Sequence, residues 1–151
     1  MAELKERLRA DLNAAMRARD QVRMRTLRMA LTSITNEEVA GTSARDLTDD
    51  EVVRVLTREA RKRREAAEAF GAAGRSDQAA AERAEGEVLA GYLPAQLSDD
   101  ELAALVDAAI AETGASGLSG LGQVMKTVTP RIAGRADGAR VAAEVRRRLS
   151  S

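Results

Sequence analysis

From Leu4 to Leu149, aliphatic residues return every three or four positions, and no stretch of the chain alternates apolar with polar residues. That spacing winds an apolar stripe along a helix and gives no strand a face to bury, so the fold is expected to be all-α. Composition agrees where the core has to be built. With 31 alanines, one Phe, one Tyr and no Trp, the interior must come from Leu, Val, Ile, Met and Ala, the residues of closely packed helices.

The stripes and their stop signals predict seven helices. Leu4, Leu8, Leu12, Ala15 and Met16 mark a first helix over 3–19. Asp20 is placed to cap a second, with Met24, Leu27, Leu31 and Ile34 facing inward, ending at Gly41. After a loop at 41–47, Thr48 with Glu51 reads as a capping box. It opens a third helix carrying Val52, Val53, Leu56, Ala60, Ala67 and Phe70 up to Gly71 and Gly74. Ser76 or Asp77 is expected to cap a fourth helix that buries Ala80, Ala81, Ala84, Val88 and Leu89. Pro94 then marks a boundary, because proline restricts the residue before it. Ser98 with Glu101 forms a second capping box for a fifth helix with Leu102, Leu105, Val106, Ala109 and Ile110 inward. A small-residue loop from Gly114 to Gly120 precedes a sixth with Leu121, Val124, Met125 and Val128, whose end Pro130 is expected to fray or kink. Asp137 caps the last, with Val141, Val145 and Leu149 inward and Arg140 and Arg147 sharing an outward face. The predicted organisation is a four-helix domain over 1–93 followed by a three-helix module over 94–151.

The absence of Cys and His removes disulfides, thiol nucleophiles, imidazole bases, the usual zinc sites and Ser-His-Asp triads together. The opening stretch MAELKERLRADL is charged rather than continuously apolar, and no window reaches the apolar length of a membrane span, so a soluble, cytoplasmic protein is expected. No cofactor and no metal are expected. The runs Asp49-Asp50-Glu51 and Asp99-Asp100-Glu101 follow capping residues and are explained by complementing the positive end of a helix rather than by metal binding or acid-base chemistry.

The 24 basic and 24 acidic residues cancel, yet their distribution does not. Residues 95–119 are acidic, whereas Lys126, Arg131, Arg135, Arg140, Arg146, Arg147 and Arg148 outnumber Asp137 and Glu144 in the tail, which suggests a local positive surface. Gly134-Arg135-Ala136-Asp137-Gly138 admits two readings: a phosphate site at a helix start, or a loop with Asp137 as cap and Arg135 and Arg140 left free. The runs Arg61-Lys62-Arg63-Arg64 and Arg23, Arg25, Arg28 read first as solvated faces. Contact with a nucleic acid or an acidic partner is the second reading, and the lack of interleaved aromatic residues argues against base stacking.

Four stretches together resemble the YqeY-like proteins of the GatB/YqeY family: LNAAMRARDQVRMRTLRMALTSI at 12–34, RKRREAAEAFGAAGRSD at 61–77, EVLAGYLPAQLSDDEL at 87–102 and LGQVMKTVTPRIAGRADGARV at 121–141. The resemblance runs end to end, with departures at the alanines of 79–81 and at Leu121. It implies a helical N-terminal domain and a C-terminal three-helix module similar to the tail of the tRNA-dependent amidotransferase B subunit, which helps to hold tRNA while other domains perform amide formation. Carried over residue by residue, it implies nucleic-acid contacts through Lys126, Arg131, Arg135 and Arg140, with Gly134 and Gly138 shaping the turn. The expected function is that of a non-catalytic accessory protein binding tRNA through its C-terminal module. The alternative is a protein-interaction module docking on an amidotransferase or aminoacyl-tRNA assembly. A third reading is carbon-nitrogen ligase activity with glutamine as amido-N-donor. No DNA or membrane partner is expected.

Overall fold

The computed structural model describes residues 2–150, and these contain α-helices joined by turns, one short 3₁₀ segment at Leu118–Gly120 and no strand. The helices are α1 (Glu3–Ala18), α2 (Gln21–Glu38), α3 (Asp49–Ala72), α4 (Ser76–Ala90), α5 (Asp99–Thr113), α6 (Leu121–Ile132) and α7 (Gly138–Leu149). They fall into two units, residues 1–93 and 94–151. No helix is long and apolar enough to cross a membrane among the described residues.

In the first unit, Leu8, Leu27, Ile34, Val52, Leu56 and Leu89 are removed from solvent and form one aliphatic core with Tyr92 at its edge. Burial of each such side chain contributes about 1.5–3 kcal/mol. The local caps form as their sequences dictate. The Asp20 carboxylate accepts from the Arg23 N–H, and Thr48 and Glu51 satisfy each other's backbone N–H groups. In contrast, α1 has no cap of its own: the N–H of Leu4 donates to Asp49 Oδ1 at 3.1 Å, so the first turn of α3 serves the first turn of α1.

Several expectations for this unit are corrected. The second helix stops at Glu38 rather than Gly41, where the Glu38 carboxylate turns inward to Lys5 and the Leu47 N–H. Met16 stays exposed. The start of α4 is not capped by Ser76 or Asp77. Arg75 occupies the cap position without a side-chain bond, because α3 closes in a tight turn with Gly74 left-handed (φ +75°). In that turn Arg75 N–H donates to Phe70 C=O at 2.8 Å and Gly74 N–H to Gly71 C=O at 3.1 Å, which leaves no room for a longer connection. The buried face of α4 consists of Ala79, Glu85 and Leu89, with Ala84 and Val88 half-buried and Ala80 and Ala81 exposed. Alanine on every side gives α4 little amphipathic contrast. Its rotation places Leu89 in the core and Glu85 against Arg25 and Arg63.

In the second unit, Leu102, Val106 and Ala109 of α5 meet Val124, Val128 and Ile132 of α6 and Val141, Val145 and Leu149 of α7. Ser98 and Glu101 form the second capping box, and Asp137 accepts from the Arg140 N–H at 2.9 Å. Pro130 does not end α6, which runs on to Ile132. A proline removes one N–H and its ring crowds the carbonyl four residues back, but Pro130 lies on the exposed side of the last turn, where water can serve the carbonyl left without that donor.

Candidate nucleic-acid interface

The four cations singled out from the sequence occupy different surroundings. Lys126, midway along α6, is exposed and has no side-chain partner among the described residues. Arg131, in the last turn of α6, pairs with Glu112 in the last turn of α5. Arg140, in the first turn of α7, places Nη2 2.9 Å from Asp99 Oδ1 in the first turn of α5. The two ends of α5 therefore hold two of the four.

Arg135 is not free. Its Nε donates to the Ile132 carbonyl at 3.1 Å and its Nη2 to the Arg131 carbonyl at 2.8 Å, so the guanidinium closes the C-terminal end of α6. The turn that carries it is left-handed at both Ala133 (φ 51°) and Gly134 (φ 78°), a backbone that glycine adopts without strain. Gly138 is different: it opens α7 with no left-handed backbone, and a Cβ there would meet nothing within 4 Å.

The positive tail suggested by the sequence is largely neutralised in place. Arg147 and Arg148 both bind Glu144, at 2.7 and 2.8 Å, and hold its carboxyl down to about 2. Arg148 also reaches Asp107 on α5 at 2.8 Å. The acidic segment thus folds against the basic one through Asp99, Asp107 and Glu112. What remains is a set of uncommitted cations, Lys126 and Arg146, and two exchangeable ones, Arg131 and Arg140. Arg146 carries no side-chain partner among the described residues, which the sequence could not show without the position of α5.

The basic runs of the first unit resolve in opposite ways. Arg63 is buried, with Nη1 2.6 Å from Glu59 Oε2 and Nε 3.6 Å from Glu85 Oε2, whereas Arg61 and Lys62 stay at the surface beside Glu65 and Glu59. The reading of 61–64 as one solvated face is therefore corrected at Arg63. Burial pushes the Glu59 carboxyl up, but hydrogen bonds from Ser33 (2.8 Å) and Arg63 outweigh it and leave the group below its ordinary value. Arg25 binds Glu85 at 2.8 Å and Arg23 donates to the Tyr92 hydroxyl at 3.2 Å, so only Arg28 of that trio lacks an oxygen partner.

Both acidic runs act at helix starts as capping boxes, and no cluster of three or more metal-ligating side chains occurs among the described residues. No curated protein matches the chain. The model of the family described as YqeY-like protein matches residues 5–149, and the chain belongs to the YqeY-like family.

Proposed function

We propose that this protein is an RNA-binding accessory protein that takes tRNA through residues 94–151. The observation that carries the reading is the state of four cations there. Among the described residues Lys126 and Arg146 have no side-chain partner, and Arg131 and Arg140 are engaged only by surface carboxylates, of which Asp99 has a side chain 98 % exposed. An exposed ion pair contributes about 0–1 kcal/mol, so a phosphate displaces the carboxylate at small cost. The resemblance to the amidotransferase B subunit tail supports the same class of RNA. Phe70 and Tyr92, the only two aromatic residues, both lie outside this unit, so recognition rests on phosphates and shape rather than on stacked bases.

The test is equilibrium binding of the full chain to bulk deacylated tRNA across a salt series, beside the variant Lys126→Glu/Arg140→Glu/Arg146→Glu. Each of these positions lies at or near the surface, and none closes a helix. Binding is expected to weaken, and the log-log salt slope to fall by about one unit for each phosphate that the variant no longer neutralises. Unchanged affinity and slope in the triple variant would remove the interface from this unit.

A further inference from the structure

A second surface, on the first unit, has a different chemistry. Gln21, Met24, Arg25, Arg28, Met29 and Thr32 line an open groove of about 420 Å³ along one side of α2. Steps of three, one, three, one and three residues place them on one stripe of the helix. Met29 is 38 % exposed, and Met16, near the end of α1, is 39 % exposed. The Arg28 Nη2 lies 3.4 Å from the Met16 sulfur, which joins Met16 to the stripe.

No carboxylate lines the groove, and α2 carries none before Glu37. Arg25 is half-exposed while its Nε binds Glu85, and Arg28 has no carboxylate partner among the described residues. The result is an adaptable thioether floor bordered by two guanidinium groups, of which Arg25 already holds Glu85 and Arg28 has no carboxylate partner among the described residues. Exposed methionines repack around varied apolar side chains, and an apolar stripe at helical spacing seats the apolar face of another helix. Arg28 selects which helix: one with carboxylates beside its apolar face, since a cation without a matching carboxylate steers and discriminates by charge, and the exposed part of the Arg25 guanidinium adds to the same field.

We propose that this face of α2 docks an acidic amphipathic helix of a partner protein. RNA fits the surface less well, because thioethers offer a phosphate nothing and no aromatic ring lines the groove for a base to stack on. A second copy of the chain fits poorly too. Its acidic helix, α5, already spends Leu102, Val106 and Ala109 on its own core.

The experiment uses the full chain with ¹³C-labelled methionine methyls, whose five signals are Met1, Met16, Met24, Met29 and Met125. The probes are a synthetic amphipathic helix with leucines on one face and glutamates beside them, the same peptide with lysines for the glutamates, and bulk tRNA. The glutamate peptide is expected to shift Met16, Met24 and Met29 saturably and leave Met125 in place. Arg28→Glu should weaken that binding about tenfold, and Arg28→Lys should retain most of it. No shift with the glutamate peptide, or equal binding of the lysine peptide, would overturn the proposal. So would displacement of the same methyls by tRNA with no effect of the glutamate peptide, which would assign the groove to nucleic acid. Met125 neighbours Lys126 and reports separately on the proposed tRNA surface.

Discussion

Lys5 Nζ lies 2.7 Å from Glu38 Oε1 and 2.9 Å from Oε2, and the two side chains, 5 % and 10 % exposed, join the start of α1 to the end of α2. The Lys5 hydrogen bond holds the Glu38 carboxyl below its ordinary value against the opposing effect of burial. A carboxyl depressed in the folded state binds its proton more readily once unfolded. Its contribution to stability is therefore complete above the unfolded value and is lost as pH falls through the folded one. Removing one partner strands the other: Lys5→Ala is expected to cost about 3 kcal/mol in urea unfolding, whereas Lys5→Met with Glu38→Leu should cost about 1 kcal/mol, because only the Leu47 N–H then lacks its acceptor.

Tyr92 is the only tyrosine, which makes its titration readable by ultraviolet absorbance without ambiguity. Burial, together with the hydrogen bond its hydroxyl donates to Asp11 Oδ2 at 2.6 Å, pushes the phenol up to about 12. Because the folded value exceeds the unfolded one, the associated stability is present below about 10 and disappears as pH rises toward 12. A phenolate signal with a midpoint near 10 in the folded chain would contradict this placement. Tyr92→Phe should cost about 1 kcal/mol by leaving Asp11 and Arg23 without their shared partner.

Ala133 holds a left-handed backbone at φ 51°, where a Cβ crowds the following carbonyl. Ala133→Gly relieves that strain at the end of α6, and the greater freedom of glycine in the unfolded chain offsets part of the gain. The expected net stabilisation is about 0.5–1 kcal/mol, seen as a shift of the urea midpoint at constant slope.

Gly86 sits inside α4, and a Cβ there would lie 3.8 Å from the Arg63 Cβ, an ordinary contact. Gly86→Ala should therefore stabilise by about 0.5–1 kcal/mol through helix propensity alone. Destabilisation would show that α3 and α4 are packed more tightly against each other at this point.

Arg135 offers a contrast with the exposed cations. Because its guanidinium satisfies the carbonyls of Arg131 and Ile132, Arg135→Ala is expected to lower stability by about 1 kcal/mol in urea unfolding. Arg146→Ala, at an exposed position whose side chain has no partner among the described residues, should leave it within about 0.5 kcal/mol.

Features that depend on neighbours within one turn of chain are legible in the residues alone. The helix starts at Thr48, Ser98 and Asp137 follow from side chains three residues from the N–H they serve, and the stripes of α5, α6 and α7 follow from 3.6-residue periodicity. Where that contrast was missing, as among the alanines of α4, the facing residues could not be read. Which charges are spoken for depends on how the helices pack. Lys5, Glu59, Arg63 and Glu85 look solvated in a linear reading, yet each finds at least one partner on another helix and can be buried because it does. Likewise the tail's excess of arginine says nothing of Asp99, Asp107 and Glu112, which lie 19 to 41 residues away along the chain and within hydrogen-bonding reach in space. Coulomb attraction and hydrogen bonding act over a few ångströms whatever the separation in sequence. The distinction between a committed arginine such as Arg135 and an available one such as Arg146 therefore exists only once the helices have packed.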